Sequence, residues 1–151
     1  DKGREGIRMS GFSRFMKANK IQKGNGKYAP TESLCDENGN PLEWEFRHIT
    51  SRENEEIRDA CTMDVPVTGK PNMYRPRLKA SEYVRGIIAA SVVSPDLQDA
   101  GLQDSYGVKK PEDLLLELVD DPGEYNRLAE FVQKFQGLDA SFRDKVGEAK
   151  N

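Results

Sequence analysis

The stretch Asp36–Thr62, DENGNPLEWEFRHITSRENEEIRDACT, encodes a turn, a strand and a capped helix in immediate succession. Asp36-Glu37-Asn38-Gly39-Asn40-Pro41 is dense turn chemistry, because Asn-Gly accepts the positive φ angles that tight reversals require. In Leu42–Ile49, Leu42, Trp44, Phe46 and His48 fall on one face and Glu43, Glu45 and Arg47 on the other. Alternation of that kind predicts a half-buried strand. Thr50-Ser51-Arg52-Glu53 is a capping box, in which the threonine accepts from the Glu53 amide while the Glu53 side chain reaches back to the Thr50 amide. The helix it opens is expected to run to about Thr62 and to bury Ile57, Ala60 and Cys61. No recognisable catalytic group lies in the stretch.

On its C-terminal side, Met63–Leu78 holds Pro66, Gly69, Pro71 and Pro76 and reads as an extended loop or irregular hairpin. Ser81–Val93 is the most apolar helical segment, with Tyr83, Val84, Ile87, Ile88, Val92 and Val93, and it is expected to be the central helix, ended by Pro95. Asp96–Tyr106 reads as a short helix plus loop. Pro111 at a first-turn position opens a Leu-rich helix through Val119. Asp121 is the N-cap and Pro122 the first residue of another helix, which carries Leu128, Phe131, Val132 and Phe135 on one stripe and stops at Gly137. A last helix is expected at about Ala140–Ala149.

On its N-terminal side, Tyr28–Cys35 is a weak strand candidate, interrupted or placed at an edge by Pro30. Gly11–Asn19 carries Phe12, Phe15 and Met16 at helical spacing, with Ser10 as N-cap. A helix this short is marginal in water and must dock on something. Every charge from Met9 to Lys27 is positive, and Gly24-Asn25-Gly26 reads as a flexible link.

The elements together predict an α+β fold: a small N-terminal antiparallel β-hairpin or sheet packed on a predominantly α-helical C-terminal bundle. Residues 1–8 read as a leader or remnant, residues 9–26 as a basic amphipathic arm and linker, and residues 27–151 as a single domain. A domain of 151 residues hides roughly 70% of its unfolded surface, enough for a core without staples. The 36% apolar and 32% charged content suits short helices with wide wet faces. A net charge of −3 with mixed signs makes no general case for nucleic acid. No apolar run approaches the ~20 residues of a membrane span, and no signal peptide is visible, so a cytoplasmic protein is expected. Cys35 and Cys61 have no spacing that supports a disulfide and read as free thiols.

A search for chemistry returns little. His48 is the only histidine and has no partners at ligand or catalytic spacing; it reads as a hydrogen-bonded core edge beside Trp44 and Phe46. No Cys/His pair has zinc spacing, and Gly24-Asn25-Gly26 lacks the strand–helix context of a nucleotide loop. Glu53, Glu55 and Glu56 sit at a helix start, where acids serve the cap and the dipole. No catalytic residue, cofactor or metal is expected.

Two features stand apart. The arm is wholly basic, whereas Pro111–Asn126 carries Glu112, Asp113, Glu117, Asp120, Asp121 and Glu124 without a base. These are either two solvated faces or a docking pair within one chain or between neighbours. Trp44 is either a core anchor or part of a strand edge that receives an extended peptide. The residues singled out for a partner are Phe12, Phe15, Met16, Trp44, Leu115, Leu118, Phe131 and Phe135, the last four because the stripes around Leu114–Val119 and Leu128–Phe135 could form a groove for an amphipathic helix.

The order of segments resembles the phage XkdN-like tail assembly chaperone family. The stretches that carry the resemblance are FSRFMKANK, KYAPTESLCDENGNPLEWEFRHIT and ENEEIRDACT, followed by VPVTGKPNMYRPRL, LQDSYGV and DDPGEYNRLAEFVQKFQGLD. It covers nearly everything after Met9. The resemblance implies a non-enzymatic protein of the bacterial host cytoplasm that coats the long helical tape-measure protein while the tail tube polymerises, and that is absent from the virion. It admits the tail tube protein, a second copy of the chain and a frameshifted longer form of the chain as further partners; Ala149-Lys150-Asn151 is compatible with slippery codons. The competing readings are a structural adaptor or minor component of the tail and, against the acidic total charge, a nucleic-acid-binding regulator.

Overall fold

A computed structural model describes residues 11–138. The turn–strand–helix stretch folds much as its local chemistry dictates. Asp36 Oδ1 accepts from the amides of Asn38 and Asn40, both at 2.9 Å, and Gly39 takes φ +82°. This turn brings Cys35 opposite Pro41 as an isolated bridge, not as the end of a continuous strand. Strand β1 is confined to Gly26–Tyr28, and β2 to Trp44–Phe46. β1 meets the strand candidate Tyr28–Cys35 only at Tyr28 and takes Gly26 from the expected flexible link, while β2 is shorter than the Leu42–Ile49 alternation implies, since Leu42 lies 44% exposed beyond the sheet. Trp44 and Phe46 are buried as expected.

Helix α1, Ser51–Ala60, opens with the capping box in full: Glu53 N donates to Thr50 Oγ1 at 3.1 Å and Thr50 N donates to Glu53 Oε1 at 2.9 Å. It contains no fully buried residue. Of the three expected to be buried, Ile57 and Cys61 are half-buried against the core and Ala60 is exposed. The helix lies on the outside of the domain with most of its circumference in water.

The loop after α1 is a regular antiparallel hairpin, with β3 (Thr62–Pro66) paired to β4 (Tyr74–Leu78) from Thr62↔Leu78 to Pro66↔Tyr74. Prolines are tolerated here because the ladder has only two strands and each has a free side. Helix α2, Ala80–Ser91, is the central helix, burying Ala80, Tyr83, Ile87, Ile88 and Ser91. It stops earlier than its apolar run. Val92–Ser94 leaves the helix as strand β5 and joins β2, giving a sheet of order β1-β2-β5, antiparallel throughout. β-branched residues pack well in a pleated strand, which favours that exit. The Ser94–Pro95 peptide is cis.

Helices α3 (Ala100–Ser105), α4 (Pro111–Leu118) and α5 (Pro122–Gln136) complete the described chain. Asp121 caps α5 through Glu124 N at 2.9 Å, and Gly137 ends it at φ +72°. The core joins Trp44 and Phe46 to Tyr83, Ile87, Ile88, Leu114, Leu115, Leu118, Leu128 and Val132. The fold is therefore α+β, a small antiparallel sheet on a helical layer. Residues 1–8, Ser10 and the helix expected at Ala140–Ala149 lie outside the described residues. No described helix is long and apolar enough to cross a membrane.

Candidate interaction surface

The sheet meets α5 through rings. Tyr28 stacks on Phe131 at 4.5 Å between centroids, Phe46 meets Phe131 edge-on at 5.1 Å, and His48 stacks on Phe135 at 4.0 Å. His48 is thus a core-edge residue packed on an aromatic face. Gln136, at the end of α5, reaches the same seam: its Nε2 donates to Arg47 O and Ser91 Oγ, and its Oε1 accepts from Ile49 N. At the other end of α5, the Glu124 carboxylate accepts from Thr31 Oγ1 and Glu32 N, both at 2.8 Å. One of the acids of the Pro111–Asn126 run therefore holds a loop of its own chain.

Eight residues singled out in the sequence separate into two sets. Trp44, Leu115 and Leu118 are buried in the core, and Phe131 and Phe135 are half-buried under the sheet. The stripes of α4 and α5 do not form an open groove, because β1, β2 and α2 already cover them. Phe12, Phe15 and Met16 are 77%, 87% and 54% exposed, with Ile21 at 90% beyond them. They lie on two 3₁₀ segments, Gly11–Phe15 and Lys17–Asn19, in place of the expected α-helix. A segment this short with no docking surface does not sustain α-helical pairing, and Asn19 Nδ2 closes it locally on Ser13 O at 2.8 Å. The three-residue turn still puts Phe12 and Phe15 on one side.

Sequence periodicity missed the β3–β4 hairpin as a surface. Met63, Met73 and Tyr74 are among its exposed large side chains, flanked by Arg75 and Arg77. Their only signal in the sequence is large apolar residues among glycine and proline breakers, where no core pattern claims them. A second missed feature is a groove between α1, α2 and the start of α4, of about 540 Å³, floored by Ile57, Ala60, Gly86, Ala89 and Ala90.

No described group of His, Cys, Asp and Glu side chains could hold a metal ion. Cys61 lines the groove, but burial pushes its thiol up from the ordinary value, with Glu82 and Glu112 adding to the effect, which disfavours a nucleophilic thiolate. Cys35 is a free, exposed thiol whose Sγ donates to Glu32 O.

The sequence profile of the phage XkdN-like tail assembly chaperone proteins matches residues 12–150. The chain belongs to this family. The XkdN-like chaperone also shares its fold with a solved structure, described as the crystal structure of the protein yqbn, at a TM-score of 0.69 and 18% identity, over 86% of this chain and 98% of that one. No curated protein sequence matches the chaperone.

Proposed function

We propose that this chaperone holds the tape-measure protein in the host cytoplasm while the tail tube polymerises, acts without catalysis or cofactor, and leaves before the virion is complete. The observation that carries the reading is family membership together with the projecting β3–β4 hairpin, whose Met63, Met73 and Tyr74 lie outside the core. Methionine is flexible and polarizable, so it adapts to a series of non-identical apolar sites along a helical partner. A small patch supports moderate affinity, which suits a chaperone that must be displaced. The residues ahead of β1 act as an arm on the folded domain.

Co-expression with the long coiled-coil-like tail protein of the same phage tests this. The chaperone is expected to co-purify with that protein and raise its soluble fraction, and Met63→Ser with Tyr74→Ser is expected to weaken both effects in a chain that remains folded. Failure of the unsubstituted chain in both assays overturns the reading. Mass spectrometry of purified particles separates it from the structural-adaptor reading, which requires the chain in stoichiometric amount in mature tails.

A further inference from the structure

We propose that the basic arm of one copy docks into the groove between α1, α2 and α4 of a second copy. The arm is exposed and wholly basic, and the groove is acidic by a small margin, with Glu82, Glu112 and Asp113 against Arg85 and Lys110. On the arm, residues 14–25 are all exposed, with Phe15, Met16 and Ile21 facing water. Its charges, Arg14, Lys17, Lys20 and Lys23, are all positive. None of its residues lines the groove of its own chain.

The groove has a floor of small and apolar side chains, and Glu82, Glu112 and Asp113 line it. Lys110 and Arg85 also line it, but Arg85 is engaged with the Tyr125 phenol, and its Nε is buried without a hydrogen-bond partner. Glu82 has Lys79 at 3.7 Å, whereas neither Glu112 nor Asp113 is in an ion pair among the described residues. Carboxylates continue along the chain at Glu117 and Asp120 with no base between Pro111 and Asn126. Small floor residues allow close approach of a bulky side chain, and a volume of about 540 Å³ falls within the roughly 300–1,000 Å³ of clefts that bury a compact apolar ligand. Phe12 and Phe15, on one side of a 3₁₀ turn, present such a group with lysines beside it. Arm and groove are unlike surfaces, so the contact closes reciprocally in a pair or propagates along a row of copies.

The inference concerns the chain alone and is tested without any tail protein. Sedimentation of the full chain across a concentration series is expected to show self-association that weakens with salt. Phe12→Ala with Phe15→Ala is expected to raise the dissociation constant about tenfold or more. Lys17→Glu with Lys20→Glu, and Glu82→Lys with Glu112→Lys, are each expected to weaken it; mixing these two variants restores association between unlike copies. A chain that stays monomeric throughout overturns the proposal, including a monomer whose arm cross-links to its own groove. So does association that the arm and groove variants leave unchanged. Retention of a random-sequence DNA duplex by the unsubstituted monomer, lost with the lysine substitutions, assigns the arm to nucleic acid and also overturns it.

Discussion

Arg47 and Glu53 form a two-point ion pair that ties the chain leaving β2 to the first turn of α1. Arg47 Nη1 donates to Glu53 Oε1 at 3.0 Å and Nη2 donates to Oε2, while Oε1 also accepts from the Thr50 amide. One carboxylate therefore serves the helix cap and fixes the angle at which the helix leaves the strand.

The pair has a pH signature. The hydrogen bonds from Arg47, then those of Thr50, hold the Glu53 carboxyl down at about 2 from an ordinary 4.5, against the effect of burial. The folded state thus binds this proton more weakly than the unfolded chain. The resulting stabilisation is fully present above pH 4.5 and is lost as the pH falls through 4.5 toward 2. Glu53→Gln is expected to cost about 1 kcal/mol at neutral pH, discounted for the partial exposure of both side chains, with the difference vanishing in acid. Urea titrations at a series of pH values check it.

Gln136 is expected to be intolerant of truncation. Gln136→Ala leaves Ile49 N–H, Arg47 C=O and the Ser91 hydroxyl without the partner they share, at a cost of about 2–3 kcal/mol. Thermal or denaturant unfolding measures the loss.

Gly86 faces Ile57 closely enough that a Cβ there would lie 2.7 Å from Ile57 Cγ2. Alanine gains about 1 kcal/mol of helix propensity but overpacks the α1–α2 contact by about 1–3 kcal/mol. Gly86→Ala is therefore expected to destabilise, in the direction opposite to propensity; a raised denaturation midpoint would refute it.

Core and arm are expected to respond differently to the same operation. Leu128→Ala removes a fully buried side chain and should cost about 2–5 kcal/mol. Phe15→Ala, at 87% exposure, should stay within about 0.5 kcal/mol. Equal losses in a denaturant comparison at concentrations where the chain is monomeric would mean that the arm packs on its own domain.

Local signals were legible and competing ones were not. The Asp36 turn, the Thr50–Glu53 box, the Asp121 cap and the Gly137 stop each depend on residues a few positions apart, so the sequence displays both partners. Strand β5 was hidden because Val92 and Val93 extend the apolar run of α2, and only pairing with β2 decides between helix and strand. Among the site residues, an amphipathic stripe reveals that a face is covered but not by what. Leu115 and Leu118 are covered by their own domain, whereas Phe12 and Phe15 are left open. The groove was invisible because its floor comes from α1 and α2 and its rim from the start of α4, which meet only in the fold.

The Gln136 clasp also orders events during synthesis. The strand exit it fastens, Arg47 to Ile49, leaves the ribosome almost ninety residues earlier, and Ser91 forty-five residues earlier. These groups stay open to water until the last turn of α5 emerges. The seam between the sheet and the helices is therefore completed last, although Phe131 can meet Tyr28 and Phe46 before Gln136 emerges.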